Sequence, residues 1–173
     1  GIATIAIPDL AQNLRASTLT GTALNFGKEN GDDGLIDAII GFRRRLSEQE
    51  LDEMRATTVV TEAAHRAAMG ATHPGVHEQI IAATFQDVVV RNGLSLAYPS
   101  IVTVRGEVLH NFNYVNTAQA GQLLLLDGGA EAQSGYATDV TRTWPVSGRF
   151  EARQLAAYEA VLASQLSGIE KVR

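Results

Sequence analysis

Gln122-Leu-Leu-Leu-Leu-Asp127-Gly-Gly-Ala-Glu131, followed after a short Ala-Gln-Ser passage by Gly135-Tyr-Ala-Thr-Asp139-Val-Thr-Arg-Thr-Trp144-Pro145, is the stretch on which the fold turns. Residues 122–127 form a continuous apolar run closing on a carboxylate, the pattern of a strand buried on both faces. Residues 136–144 read as a second strand, and the Gly- and Ser-containing passage between them reads as a hairpin turn centred near Gln133. Asp127 and Asp139 then lie about equally far from that turn. With period-two alternation, Leu123, Leu125 and Asp127 share one face, as do Ala137, Asp139, Thr141 and Thr143. Residues directly opposite in an antiparallel pair have Cβ atoms about 4.5–5.5 Å apart. Two carboxylates that close repel by about 3 kcal/mol at an effective dielectric near 20. One or two divalent cations would supply the counter-charge such a sheet needs. The competing reading starts the turn with one Asp and turns the other to solvent; geometry by itself leaves both open.

Working upstream, Leu96 to Tyr98, Ile101 to Val104 and Val108-Leu109-His110 are expected as short strands. Before them, Ser47-Glu48-Gln49-Glu50 has the capping-box pattern and predicts a long helix through Met69, ended by Gly70. Its inner face is expected from Leu51, Met54, Thr58, Ala64, Ala67 and Ala68. Pro74-Gly75 makes a turn, and a second helix is expected from Val76 to Arg91, with Ile80, Ile81, Phe85, Val88 and Val89 as its apolar stripe and Asn92-Gly93 as its stop. Residues 1–33 are weakly patterned. The Asp32-Asp33 pair predicts the cap of a short helix over 35–40. Downstream, a third amphipathic helix is expected from Ala152 onward.

The 173 residues are 45% apolar and 19% charged, an ordinary soluble composition, and the net charge of −5 gives no reason to expect a nucleic-acid partner. Arg43-Arg44-Arg45 is too short a basic run to change that. The absence of cysteine excludes disulfides and thiolate metal sites. No apolar run approaches the roughly 20 residues of a membrane span. No signal peptide is visible, although the chain opens on Gly1 rather than Met; the cytoplasm is the expected compartment.

The Leu-Leu-Leu-Leu-Asp127-Gly-Gly-Ala-Glu131 and Asp139-Val-Thr-Arg-Thr-Trp-Pro segments resemble the metal-binding hairpin of the aminopeptidase P and prolidase family. Glu53-Met54-Arg55, Ala64-His65, Ala68-Met69 and Pro74-Gly75 with Glu78 are similar to that family's first two catalytic-domain helices. Tyr98-Pro-Ser-Ile-Val102 and Leu109-His110 resemble the strands before the hairpin. The match runs through about residues 34–165 in unbroken order.

The resemblance implies an α+β fold: the first half of a pita-bread domain, helices packed on an antiparallel sheet, truncated before its second half. Residues 1–42 would be the tail of an N-terminal creatinase-like domain and residues 43–173 the N-terminal half of the catalytic domain. It implies two divalent ions, Mn²⁺ first with Co²⁺ or Zn²⁺ as alternatives. Asp127 would ligate one ion with both oxygens and Asp139 would bridge the two. His110 would be the catalytic residue facing the substrate, and Tyr98 and Thr141 would orient the carboxylates. The activity implied is hydrolysis of the peptide bond in N-terminal Xaa-Pro peptides, with a homo-oligomer as the full-length assembly and no nucleic-acid or membrane partner.

Two departures stand out. The spacing from Asp127 to Asp139 is one residue longer than in the commonest family version, so an inserted turn residue or a bulge is needed to keep register. Around His110 the chain reads Val-Leu-His-Asn-Phe-Asn-Tyr, where many relatives place an aromatic or a second histidine close behind. The family ligand set also includes a later His and two Glu. After Asp139 this sequence has no His, and its only acids are Glu151, Glu159 and Glu170, on or beside a helix. The residues given are therefore expected to be inactive alone. Methionine aminopeptidase, a creatinase-like C–N hydrolase and a metal-free pita-bread module that binds peptides or proteins are the rival readings. His77-Glu78 is not a zincin motif, since Ile81 stands where a second His is required. His65 reads as packed or solvated rather than as a ligand, and Trp144 as a core aromatic.

Overall fold

The computed structural model describes residues 2–172. The chain divides into two compact units, residues 1–49 and 50–173. In the first, α1 (Leu10–Thr20) is a helix that the weak patterning of residues 1–33 did not predict. Asp9 caps it by accepting from Gln12 N, and Gly21 ends it in the left-handed conformation. Asn13 is buried because its amide pairs with the backbone of Ile7, accepting from N at 2.9 Å and donating to O at 2.6 Å. A polar side chain thus replaces the apolar stripe by which helices are usually recognised. The expected helix over 35–40 is α2 (Asp33–Arg43), with the Asp32 carboxylate accepting from Leu35 N.

The second unit is built on α3 (Glu48–Ala71) and α4 (Glu78–Arg91), the strands β1 (Ser95–Leu96), β2 (Ile101–Thr103), β3 (Leu123–Gly128), β4 (Ala130–Glu131) and β5 (Val140–Pro145), and α5 (Ala152–Lys171). Strands β2, β3 and β5 form an antiparallel sheet in that order, and β1 pairs with β4. One core joins Ala64 and Ala68 of α3, Ile81, Phe85 and Val89 of α4, Val102 of β2, Leu124 and Leu126 of β3, and Trp144 of β5. Among the described residues no helix is long and apolar enough to cross a membrane.

Several expectations need correction. Gly70 does not end α3 but lies inside it. The inner face of α3 is Thr57, Thr61, Ala64, His65 and Ala68, with Thr58 exposed. Polar residues hold those positions because Thr57 and Thr61 return their hydroxyls to the carbonyls one turn back. Helix α4 starts at Glu78 rather than Val76, and Ile80 is exposed. The run at 122–127 is not buried on both faces: Leu124, Leu126 and Gly128 are buried, whereas Leu123, Leu125 and Asp127 are half-buried. The last strand begins at Val140 rather than at residue 136, and β1 stops short of Tyr98. Val108-Leu109-His110 is not a strand but an exposed turn, with His110 at φ 52°.

Candidate metal centre

The site face of the sheet follows from its register. Asp127 pairs with Thr141, Leu125 with Thr143 and Gly128 with Val140. Paired residues share a face, so Asp127, Thr141 and, two residues earlier, Asp139 lie on the face away from Leu124, Leu126 and Trp144. Asp139 is therefore diagonal to Asp127 rather than directly opposite it, and Thr141 takes the opposite position. The same register recurs beyond the ladder at an isolated bridge between Glu131 and Ala137. At the turn, Ala132 N donates to Tyr136 O, Gly135 N donates to Ala132 O, and Gly135 has φ 84°. That is a three-residue loop closed by a left-handed glycine.

Tyr98 brings the two acids together. Its hydroxyl lies 2.8 Å from Asp127 Oδ1 and 2.9 Å from Asp139 Oδ1. A phenol has one proton to give, so it serves one carboxylate at a time while both are held at a single point. Burial first, then the hydrogen bonds to the two carboxylates, push its hydroxyl well above the usual tyrosine range, and it stays a donor. Its placement is local: Ala97 N donates to Gly129 O, which lays the Tyr98 ring beside the Asp127-Gly-Gly corner.

The glycines at that corner answer to space rather than to φ. A Cβ on Gly128 would meet the Phe85 ring at 2.8 Å, and one on Gly129 would sit 1.8 Å from Thr138 O. The segment carrying Asp139, which leads into β5, is fixed from behind as well. Thr138 is buried, its hydroxyl 2.7 Å from that of Thr61, and it exchanges hydrogen bonds with the backbone of Ala130. The sequence reading missed Gly129, Thr61 and Thr138. The Gly-Gly pair after the acid was the one signal that could have found the first.

His65 is 4% exposed; its Nε2 is 2.9 Å from Val140 O, while its Nδ1 has no partner. A carbonyl only accepts, so Nε2 carries the proton. Burial chiefly, helped by Arg142 and opposed by Asp127, lowers its pKa to about 4. It is a neutral core histidine, the packed rather than the solvated of the two alternatives its sequence position left. A cleft of about 360 Å³ beside it is lined by Glu62, Arg66, Val140 and Arg142. Val140 and Arg142 alternate with Asp139 and Thr141, so this cleft opens on the opposite side of β5 from the two acids. His110 is exposed in its turn and shares no hydrogen bond with the Tyr98 cluster among the described residues.

Residues 52–173 match the model of metallopeptidase family M24. The chain belongs to that family.

Within the M24 family, the chain is 38% identical over 122 residues to Xaa-Pro aminopeptidase 3 of Rattus norvegicus, an alignment covering 69% of this chain and 24% of the relative. It is 38% identical over 142 residues to a probable Xaa-Pro aminopeptidase of Pyrenophora teres f. teres, covering 80% of this chain and 30% of the relative. A variant of Escherichia coli aminopeptidase P superposes with a TM-score of 0.72 at 32% identity, covering 75% of this chain and 30% of that one. The pita-bread expectation therefore holds for the fold. The chain spans about a quarter to a third of the length of the relatives it matches.

The donor set suits the metals this family implies, as far as it goes. Anionic carboxylate oxygens are the ligands hard divalent ions take. Among the described residues no group of three or more His, Cys, Asp or Glu stands close enough to hold an ion.

Proposed function

We propose that this chain supplies two metal ligands, Asp127 and Asp139, to a dinuclear enzyme that hydrolyses the peptide bond of N-terminal Xaa-Pro substrates. The observation supporting it most directly is the convergence of both carboxylates on the Tyr98 hydroxyl. Two anions that close, bridged by one proton, are electrostatically poised to gain from a cation. In the full-length protein Asp127 and Asp139 would both hold the divalent ions. The remaining His and two Glu would come from outside residues 1–173. Mn²⁺ is the first choice, with Co²⁺ or Zn²⁺ as alternatives; the bound ions supply Lewis acidity toward the scissile carbonyl. Tyr98 and Thr141 keep the two acids in register. His110, on its exposed turn, donates a hydrogen bond to the carbonyl oxygen as negative charge develops there.

On the same reading, residues 1–42 are the tail of a preceding creatinase-like domain, and residues 43–173 form the N-terminal half of the catalytic domain. The partners are a proline-containing peptide and further copies of the full-length chain, and the compartment is the cytoplasm. The test is to make Asp139→Ala and His110→Ala in the full-length enzyme and measure metal content beside kinetics on an Xaa-Pro peptide. Asp139→Ala loses metal and turnover together. His110→Ala lowers turnover and keeps the metal. Full metal occupancy in the Asp139 variant would overturn the ligand assignment, and metal loss in the His110 variant would overturn the role of His110.

A further inference from the structure

Glu78 has no accessible surface and no cationic partner among the described ion pairs. Its position as the first residue of α4 favours a negative charge. Its hydrogen bonds, however, go to another segment. Oε1 accepts from Val104 N at 2.8 Å and from Asn116 Nδ2 at 3.0 Å, while Oε2 accepts from Asn116 N and Nδ2, each at 3.0 Å. Val104 and Asn116 are the two stems of residues 105–115, the segment whose turn carries His110. Glu78 N donates back to Asn116 O at 3.0 Å. His77 bridges to Thr117, and Ala118 N donates to Val76 O, so the outgoing stem is pinned along the approach to α4.

We infer that Glu78 is a positioning residue for His110: one buried carboxylate clamps both ends of the His110 segment and thereby sets where its imidazole stands. The inference rests on the proposed role of His110. Burying a carboxylate is costly unless its oxygens are satisfied, and here the hydrogen bonds described to them all come from the two stems. A side chain serving only the core would be apolar at this depth. Between the stems the segment is mostly exposed: Val108 N donates to Arg105 O near the turn, and the one long-range tie described is at the far end, where the Tyr114 hydroxyl donates to Ser100 O. His110 itself sits at φ 52°, a conformation that non-glycine residues seldom adopt. Such a turn keeps its place only if its ends are held.

Glu78→Gln tests this in the full-length enzyme. The amide offers one acceptor oxygen where two stems need one each, and its NH₂ faces an N–H. Metal content should be unchanged. Turnover should fall roughly ten- to a hundredfold with KM nearly constant, the scale set by displacing a catalytic group by about 1 Å. In metal-free protein, amide exchange across 105–115 should quicken about tenfold, consistent with local opening of the segment. In a His110→Ala background the same substitution should barely change turnover, because there is no imidazole left to misplace. Asn116→Ala, which removes both side-chain bonds to Glu78 and leaves those from Val104 N and Asn116 N, should act in the same direction and serves if the Gln variant does not fold. Additive losses in the double variant, or fast exchange with unchanged turnover, would overturn the inference. If His110→Ala alone leaves turnover intact, the reading of His110 has failed and the inference falls with it, even where the exchange data show the clamp.

Discussion

Gly129 and Thr138 face each other across the hairpin so closely that a Cβ on Gly129 would stand 1.8 Å from the Thr138 carbonyl oxygen. That approach brings the segment bearing Asp139 within reach of Asp127 and Tyr98. Gly129→Ala must push the strands apart. It should destabilise the protein by at least about 2–3 kcal/mol, since overpacking against backbone cannot be relieved by a rotamer change. Denaturant unfolding would measure the loss, and metal titration of the full-length variant should show weakened binding as well. A variant with wild-type stability and affinity would mean the corner is more pliable than its geometry indicates.

Tyr98→Phe removes the hydroxyl that both carboxylates share. In the full-length enzyme the metal affinity should drop roughly 10–100-fold, as for other groups that orient ligands from behind. Calorimetric titration with Mn²⁺ would read this directly. The variant should fold normally, because the tyrosine ring stays in place beside Gly129.

His65 makes stability depend on acid. Its folded pKa of about 4 lies below the ordinary value of 6.5, so between those limits the unfolded chain binds a proton that the native one refuses. The contribution is full above about pH 7 and is lost as pH falls toward 4, with a slope of at most about 1.4 kcal/mol per pH unit. Urea midpoints of the metal-free protein between pH 4 and 7 would show it. His65→Gln should flatten that part of the profile. Arg142 also faces this ring, and Arg142→Gln should raise the His65 pKa as followed by nuclear magnetic resonance, because the Arg142 charge helps to lower it.

Residues 1–173 expressed alone should turn over no Xaa-Pro peptide and should bind Mn²⁺ only weakly. Two carboxylates cannot complete the oxygen- and nitrogen-rich shells that divalent ions of this class take, and no third ligand stands near them among the described residues. Peptide assay with added Mn²⁺, alongside calorimetry, would check both. Tight binding of two ions by a monomer would show a more complete site.

The apolar run at 123–126 closing on Asp127 and the Asp139-Val-Thr-Arg-Thr-Trp segment predicted a hairpin that could bring two acids to one face, because period-two alternation and turn chemistry are local, and left open the reading with one acid in solvent. The helices α2, α3, α4 and α5 were legible for the same reason, through caps and apolar spacing. The resemblance of those two segments to the hairpin of the aminopeptidase P and prolidase family, carried by residue identities rather than by periodicity, pointed to the family. What the tertiary structure decided depends on groups far apart in sequence. The two-residue difference between a direct and a diagonal Asp pair was set by Gly135 closing a three-residue loop and by Thr61, on a distant helix, gripping Thr138. The phase of α3 was misread because its inner face carries Thr57, Thr61 and His65, polar groups whose burial becomes acceptable only once their partners are in place. The turn at His110 could not be read from an apolar Val-Leu pair, since its stems are held by Glu78 from another element. Local pattern reports which residues prefer to be buried or extended; only the folded chain determines which donor meets which acceptor.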